Sequence, residues 1–177
     1  MSSVVRAIVA LGSNLGSRAR NLDFALRHLG PLVAVSQVFE TEPVGGPAHQ
    51  GPFFNLVASL DTALSAHALL RRCQQIEAAA GRTRSVHWGP RTLDIDLLFF
   101  GDLCIKSGDL VLPHPRLHER RFVLAPLSEI APERCPPGWH ESLPALAMHP
   151  RGSLSTLLHH EPLALGNVCA GPGLSVS

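Results

Sequence analysis

The chain is nearly without lysine: fourteen arginines stand against the single Lys106. Codon bias and selection for two-pronged phosphate binding would both produce that imbalance. Net charge is equally scarce, at +1, which gives no overall pull toward nucleic acid or a membrane surface. No apolar run approaches the roughly 20 residues that span a bilayer. The first residues, Met1 to Arg6, lack the basic segment and long apolar stretch of a signal peptide. The four cysteines, Cys73, Cys104, Cys135 and Cys169, show no C-x-x-C spacing, which argues against a zinc site or a disulfide framework. A reducing cytoplasm is the expected compartment.

What is present suits one globular domain. The 177 residues are 45% hydrophobic and 16% charged, enough for a core and too ordered in composition for a disordered chain. Val4 to Leu11 reads as a strand that turns out through Gly12-Ser13-Asn14-Leu15-Gly16. Leu22, Ala25, Leu26 and Leu29 recur at helical spacing, and Gly30-Pro31 stops that helix. Val33 to Phe39 predicts a second strand. Glu42 to Pro52 follows with three prolines and three glycines, as an irregular loop.

Phe53 to Leu60 alternates, with Phe54, Leu56, Ala58 and Leu60 on one face and Phe53, Asn55, Val57 and Ser59 on the other. Ser65 is a candidate N-cap for a helix to Ala80 that turns Leu69, Cys73, Ile76 and Ala80 inward, with Gly81 as its stop. A last apolar strand runs from Leu93 to Phe100, followed by a hairpin, a turn at Pro113-His114-Pro115 and a short segment from Phe122 to Leu127. The order strand, helix, strand, strand, helix, strand predicts an α+β sandwich of ferredoxin-like type, with a mainly antiparallel sheet and helices on one face. One domain over residues 1–160 and a flexible tail over 161–177 are expected.

Chemistry concentrates at Asp94 and Asp96. Two apart on a strand, their carboxylates leave the same face about 6 to 7 Å apart, and Leu93, Ile95, Leu97 and Phe99 fill the other. Such a pair suits a solvated face or a hard cation such as Mg²⁺ that also takes phosphate oxygens. The preceding loop, residues 81–91, carries Arg82, Arg84 and Arg91 and no acid. Guanidinium groups bind paired phosphate oxygens, and Trp88 could help the loop cover a ligand. Carboxylates beside arginines point to a polyphosphate.

Gly12 to Gly16, Arg82 with Arg84, Trp88-Gly89-Pro90-Arg91-Thr92-Leu93-Asp94-Ile95-Asp96, and Pro113-His114-Pro115-Arg116 with Phe122 resemble the 6-hydroxymethyl-7,8-dihydropterin pyrophosphokinase family. The likeness runs in order from about residue 5 to about residue 145. It implies transfer of pyrophosphate from ATP to a pterin alcohol in folate biosynthesis, with no covalent enzyme intermediate. On that resemblance Asp94 and Asp96 bind two magnesium ions, and Arg82, Arg84 and Arg91 neutralise the triphosphate. Trp88 closes the loop, Gln74 and Glu77 line the nucleotide site, and His114 and Arg120 contact ATP. A flat pterin stacks between Phe53 and Phe122 with Asn55 at its polar edge, near Thr41 and Val44. The implied partners are these small molecules, with no nucleic acid and no membrane, and a monomer is expected.

The Gly12–Gly16 turn lacks the spacing and lysine of a Walker motif, and a structural role is expected of it. His159-His160 reads as a surface pair. Pro115, Arg121 and His87 depart from residues common in the family. Two rivals use the same groups: a two-metal phosphohydrolase or nucleotidyl transferase, for which the acids are few, and a nucleotide-binding domain without turnover.

Overall fold

The computed structural model describes residues 3–44, 50–81 and 91–160. Five strands form one path in the main sheet: β5 (Asp94–Phe100), β1 (Val5–Ser13), β4 (Phe53–Thr62), β3 (Phe39–Thr41) and β8 (Met148–Pro150). A sixth, β2 (Leu32–Val35), also pairs with β4. Each pairing is antiparallel. A separate hairpin joins β6 (Ile105–Ser107) to β7 (Leu110–Leu112).

Alternation builds two cores. Ala7, Val9 and Leu11 of β1 and Phe54, Leu56, Ala58 and Leu60 of β4 face α1 (Arg18–Leu29) and α2 (Ala66–Ala79). The helix faces are those expected: Leu22, Ala25, Leu26 and Leu29 on α1, and Leu69, Cys73 and Ile76 on α2. Ser65 caps α2, its Oγ accepting from the Ala68 N–H at 3.3 Å.

Ile8, Ala10 and Val57 face the other way, where α3 (Arg121–Ile130) packs with Trp139 of α4 (Trp139–Ser142). The anticipated helix layer is therefore that of α1 and α2. α3 adds a second, smaller layer across β4 on the opposite face, so the helices do not all lie on one side. The ferredoxin-like sandwich stands with that addition.

Two strand readings change. Val33 to Phe39 is broken at Ser36, whose backbone N–H donates to Val57 O at 2.9 Å while its Oγ accepts from Val57 N–H at 3.0 Å. In β5 the register on β1 shifts between Leu97 and Phe99, which pair with Val9 and Ile8, so Leu98 is an extra residue. The bulge moves Phe99 out of the Leu93, Ile95, Leu97 set and places it with Leu98 under α3.

Past residue 132 the chain returns to the sheet. β8 pairs with β3, Arg151 donates to Glu40 at 2.6 Å, and α5 (Leu154–His160) sets buried Leu154 into the α1–α2 core. The predicted tail, 161–177, lies outside the described residues.

Candidate active site

Before its bulge β5 keeps strict alternation, so Ile95 and Leu97 enter the core while Asp94 and Asp96 stand half-buried on the α3 side. Each carboxylate has a guanidinium partner. Arg91 donates to Asp94 from three residues upstream, and Arg120 Nη1 donates to Asp96 Oδ2 at 2.6 Å. His114 stands beside the same carboxylate, with Nε2 3.9 Å from Asp96 Oδ2. Its Nδ1 accepts from the Arg116 N–H at 3.2 Å, so in the neutral ring Nε2 bears the proton. Burial holds the His114 pKa below the ordinary imidazole value; Asp96 opposes that shift, and Arg120 and Arg116 reinforce it.

The pair borders a cavity of about 180 Å³ that reaches from the carboxylates to β3. Arg91 and Arg120 flank it at the acidic end; Thr41, Val44, Phe53, Asn55 and Phe122 line the rest. Asn55 and Thr41 are buried polar residues, and Asn55 Nδ2 donates to Thr41 Oγ1 at 2.7 Å. With one of its two N–H groups engaged there, the amide keeps Oδ1 as an acceptor.

Among the described residues no group of three or more His, Cys, Asp or Glu could form a closed metal site. Two carboxylates open to a common cavity fit a hard cation of the magnesium type, which takes one or two carboxylates and completes its shell with water and phosphate.

The model of the 7,8-dihydro-6-hydroxymethylpterin-pyrophosphokinase (HPPK) family matches residues 8–132. The chain belongs to this family. Over 129 residues it is 47% identical to the 2-amino-4-hydroxy-6-hydroxymethyldihydropteridine pyrophosphokinase of Bacillus subtilis, covering 70% of this chain and 77% of that protein. The Pseudomonas aeruginosa protein of the same name is 44% identical over 143 residues, covering 77% and 88%. A solved HPPK-DHPS structure from Plasmodium falciparum shares the fold, with a TM-score of 0.58 at 17% identity. That likeness covers 74% of this chain and 38% of the longer one.

Of the residues that the family resemblance singled out, Arg91, Asp94, Asp96, Arg120, Thr41, Val44, Phe53, Asn55 and Phe122 come together around the one cavity. Arg82, Arg84 and Trp88 lie outside the described residues. Gln74 and Glu77 do not line the cavity. Gln74 is exposed on α2, and Glu77 is buried beside the outer edge of β5, where its Oε1 accepts from the Ile95 N–H at 2.7 Å. The structure thus ties Glu77 to the backbone between the two aspartates.

The HPPK-like Gly-Ser-Asn-Leu-Gly turn acts on backbone as well. Asn14 Oδ1 accepts from the Arg91 N–H at 2.7 Å, and Asn14 N–H donates to Arg91 O at 3.0 Å. Ser13 Oγ donates to Thr92 O at 2.6 Å. These bonds fix the chain immediately before β5. The sequence reading gave no site role to Gly12 and Arg116, which also line the cavity. Continuing the strand alternation from Ala10 would have put Gly12 on the cavity face.

Proposed function

We propose that this chain transfers the pyrophosphoryl group of ATP to the hydroxymethyl oxygen of 6-hydroxymethyl-7,8-dihydropterin, giving AMP and the pterin diphosphate, in folate biosynthesis. One observation carries the reading: a single cavity is lined by the carboxylates of Asp94 and Asp96 with Arg91 and Arg120, and also by the buried amide of Asn55 with Phe53 and Phe122.

Asp94 and Asp96 would hold magnesium, two ions in this reading, which neutralises the triphosphate charge when bound. Arg91 and Arg120, already at the carboxylates, are within reach of phosphate oxygens, with Arg82 and Arg84 assigned the same task from the preceding loop. Gln74, Glu77, Trp88 and His114 complete the nucleotide assignment carried by the resemblance. For Glu77 the Ile95 bond supports an indirect part, through the strand.

Phe53 and Phe122 offer ring faces to the pterin. Asn55 offers Oδ1 to an N–H on its polar edge, near Thr41 and Val44. The hydroxymethyl oxygen forms its bond to the β-phosphorus and gives its proton to solvent, while the bond from the β-phosphorus to the α,β-bridging oxygen breaks and AMP departs with that oxygen and the electron pair. Positioning and electrostatics supply most of the acceleration.

All of these groups come from one chain, which supports a monomer. No described helix is long and apolar enough to cross a membrane, and Cys73, Cys104 and Cys135 are free thiols, which supports the cytoplasm. The decisive assay incubates the protein with ATP, Mg²⁺ and the pterin. AMP formation that requires the pterin is the expected result. Phosphate release without pterin would indicate a phosphohydrolase, and no turnover would indicate a binding domain.

A further inference from the structure

Strand register places three residues of different kinds in one row on the cavity side of the sheet. Gly12 of β1 pairs with Asn55 of β4 on one flank and with Asp94 of β5 on the other. Directly opposed residues of antiparallel strands turn to the same face, so the row reads amide, bare backbone, carboxylate. At about 4.8 Å between strands, the backbones of Asn55 and Asp94 stand roughly 10 Å apart. Gly12 itself adds no side chain to the strip between them.

Backbone geometry does not demand glycine there. Gly12 lies within a regular strand and outside the left-handed region that favours glycine, and glycine in a strand interior weakens the strand. Space is the feature a β-carbon would remove. Built at Gly12, it falls 3.1 Å from Asn55 Oδ1 and 3.8 Å from the Phe53 ring. Asn55 has little room to retreat, because it is buried and its Nδ2 is bonded to Thr41.

We infer that Gly12 is a specificity-determining residue: its missing side chain admits a flat bicyclic heterocycle between the Asn55 acceptor and the carboxylate pair. This rests on the pterin reading given above. A methyl group at Gly12 would occupy the ring's space and displace the amide oxygen that the ring's N–H meets. The nucleotide end, held by Arg91, Arg120 and the aspartates, would keep its geometry.

The test is Gly12→Ala in the full chain, with Gly108→Ala as a control on the β6–β7 hairpin, where a β-carbon meets no atom within 4 Å. Steady-state AMP formation gives KM for each substrate, calorimetry gives affinity for a non-hydrolysable ATP analogue with Mg²⁺, and scanning calorimetry gives Tm. Gly12→Ala is expected to raise the pterin KM roughly ten- to a hundredfold, the effect of overpacking a fitted site. The ATP analogue should bind within about twofold of wild type, while crowding of Asn55 lowers Tm by no more than a few degrees, partly offset by the gain of alanine in a strand. The control should match wild type throughout. An unchanged pterin KM overturns the inference, as does an equal loss of affinity for both substrates. Failure of wild type to make AMP from the pterin would instead sink the pyrophosphokinase reading, and this inference with it.

Discussion

Glu77 separates two accounts of how α2 serves the site. Its carboxylate is buried and accepts from the Ile95 N–H, and Ile95 lies between Asp94 and Asp96. In Glu77→Ala that N–H loses its acceptor in a place closed to water. Losing a bond of this kind, with a charged acceptor, costs about 1.5–3 kcal/mol. For a protein of this size that corresponds to a fall in Tm of roughly 3–12 °C. Glu77→Gln keeps a carbonyl at the same reach and should lose about 1 kcal/mol or less. Slack at Ile95 moves both carboxylates, and a displacement near 1 Å can lower kcat by about a hundredfold. The expected pattern is a lower Tm and a lower kcat in Glu77→Ala, both largely restored in Glu77→Gln. Scanning calorimetry and pterin-dependent AMP formation measure the two. An unchanged Tm with a raised KM for ATP alone would refute the strand-anchoring account and favour direct contact with the nucleotide.

Asp96→Ala should keep the folded circular dichroism spectrum, since the side chain is half-exposed off the core face, while kcat falls by roughly a hundredfold or more; loss of the folded spectrum would contradict that placement. Burial raises the Glu40 carboxyl, but the hydrogen bond and charge of Arg151, with Arg18, outweigh it and hold Glu40 below the ordinary carboxyl value. Its stabilisation is present above the unfolded-state pKa and is lost as pH falls through the lower folded value. Arg151→Ala should therefore move the acid-unfolding midpoint upward in pH, while its cost near pH 7 stays under about 1 kcal/mol because the arginine is partly exposed; an unmoved midpoint would count against the pairing. In a Cys169→Ser background, Cys104 should react with a thiol reagent at pH 8 in the native protein. Cys73, pushed up to about 12 by burial and then by Glu77, should react only on unfolding; native labelling of Cys73 would disprove its enclosure.

The faces of β1, β4 and β5 were legible because alternation with a buried side is a local signal, and Asp94 and Asp96 turn to the cavity as that signal requires. The bulge at Leu98 was not legible. One extra residue in an apolar run leaves the run apolar, and only the β1 register reveals that Phe99 has changed sides. β8 and α5 are short, and their stability comes from β3, α1 and Leu154 rather than from their own pattern. At the site, residue type pointed to Asp94 and Arg91, whereas Gly12 depends on which residues oppose it across the sheet. Glu77 shows the converse difficulty. A polar residue one position after Ile76 on an amphipathic helix reads as solvent-facing, and only the packed structure supplies the Ile95 amide that buries it.

Among the described residues β5 ends the strand order, so its outer backbone groups face no neighbouring strand. Glu77 takes the Ile95 N–H there, and the His114 N–H donates to Leu98 O at 3.0 Å, the carbonyl of the bulged residue. A bare edge strand invites another molecule to extend the sheet and aggregate. Groups that frame the carboxylates therefore also guard the edge against self-association. Glu77→Ala should consequently scatter more light than Glu77→Gln as concentration rises, a loss of colloidal solubility that sets in while the fold persists.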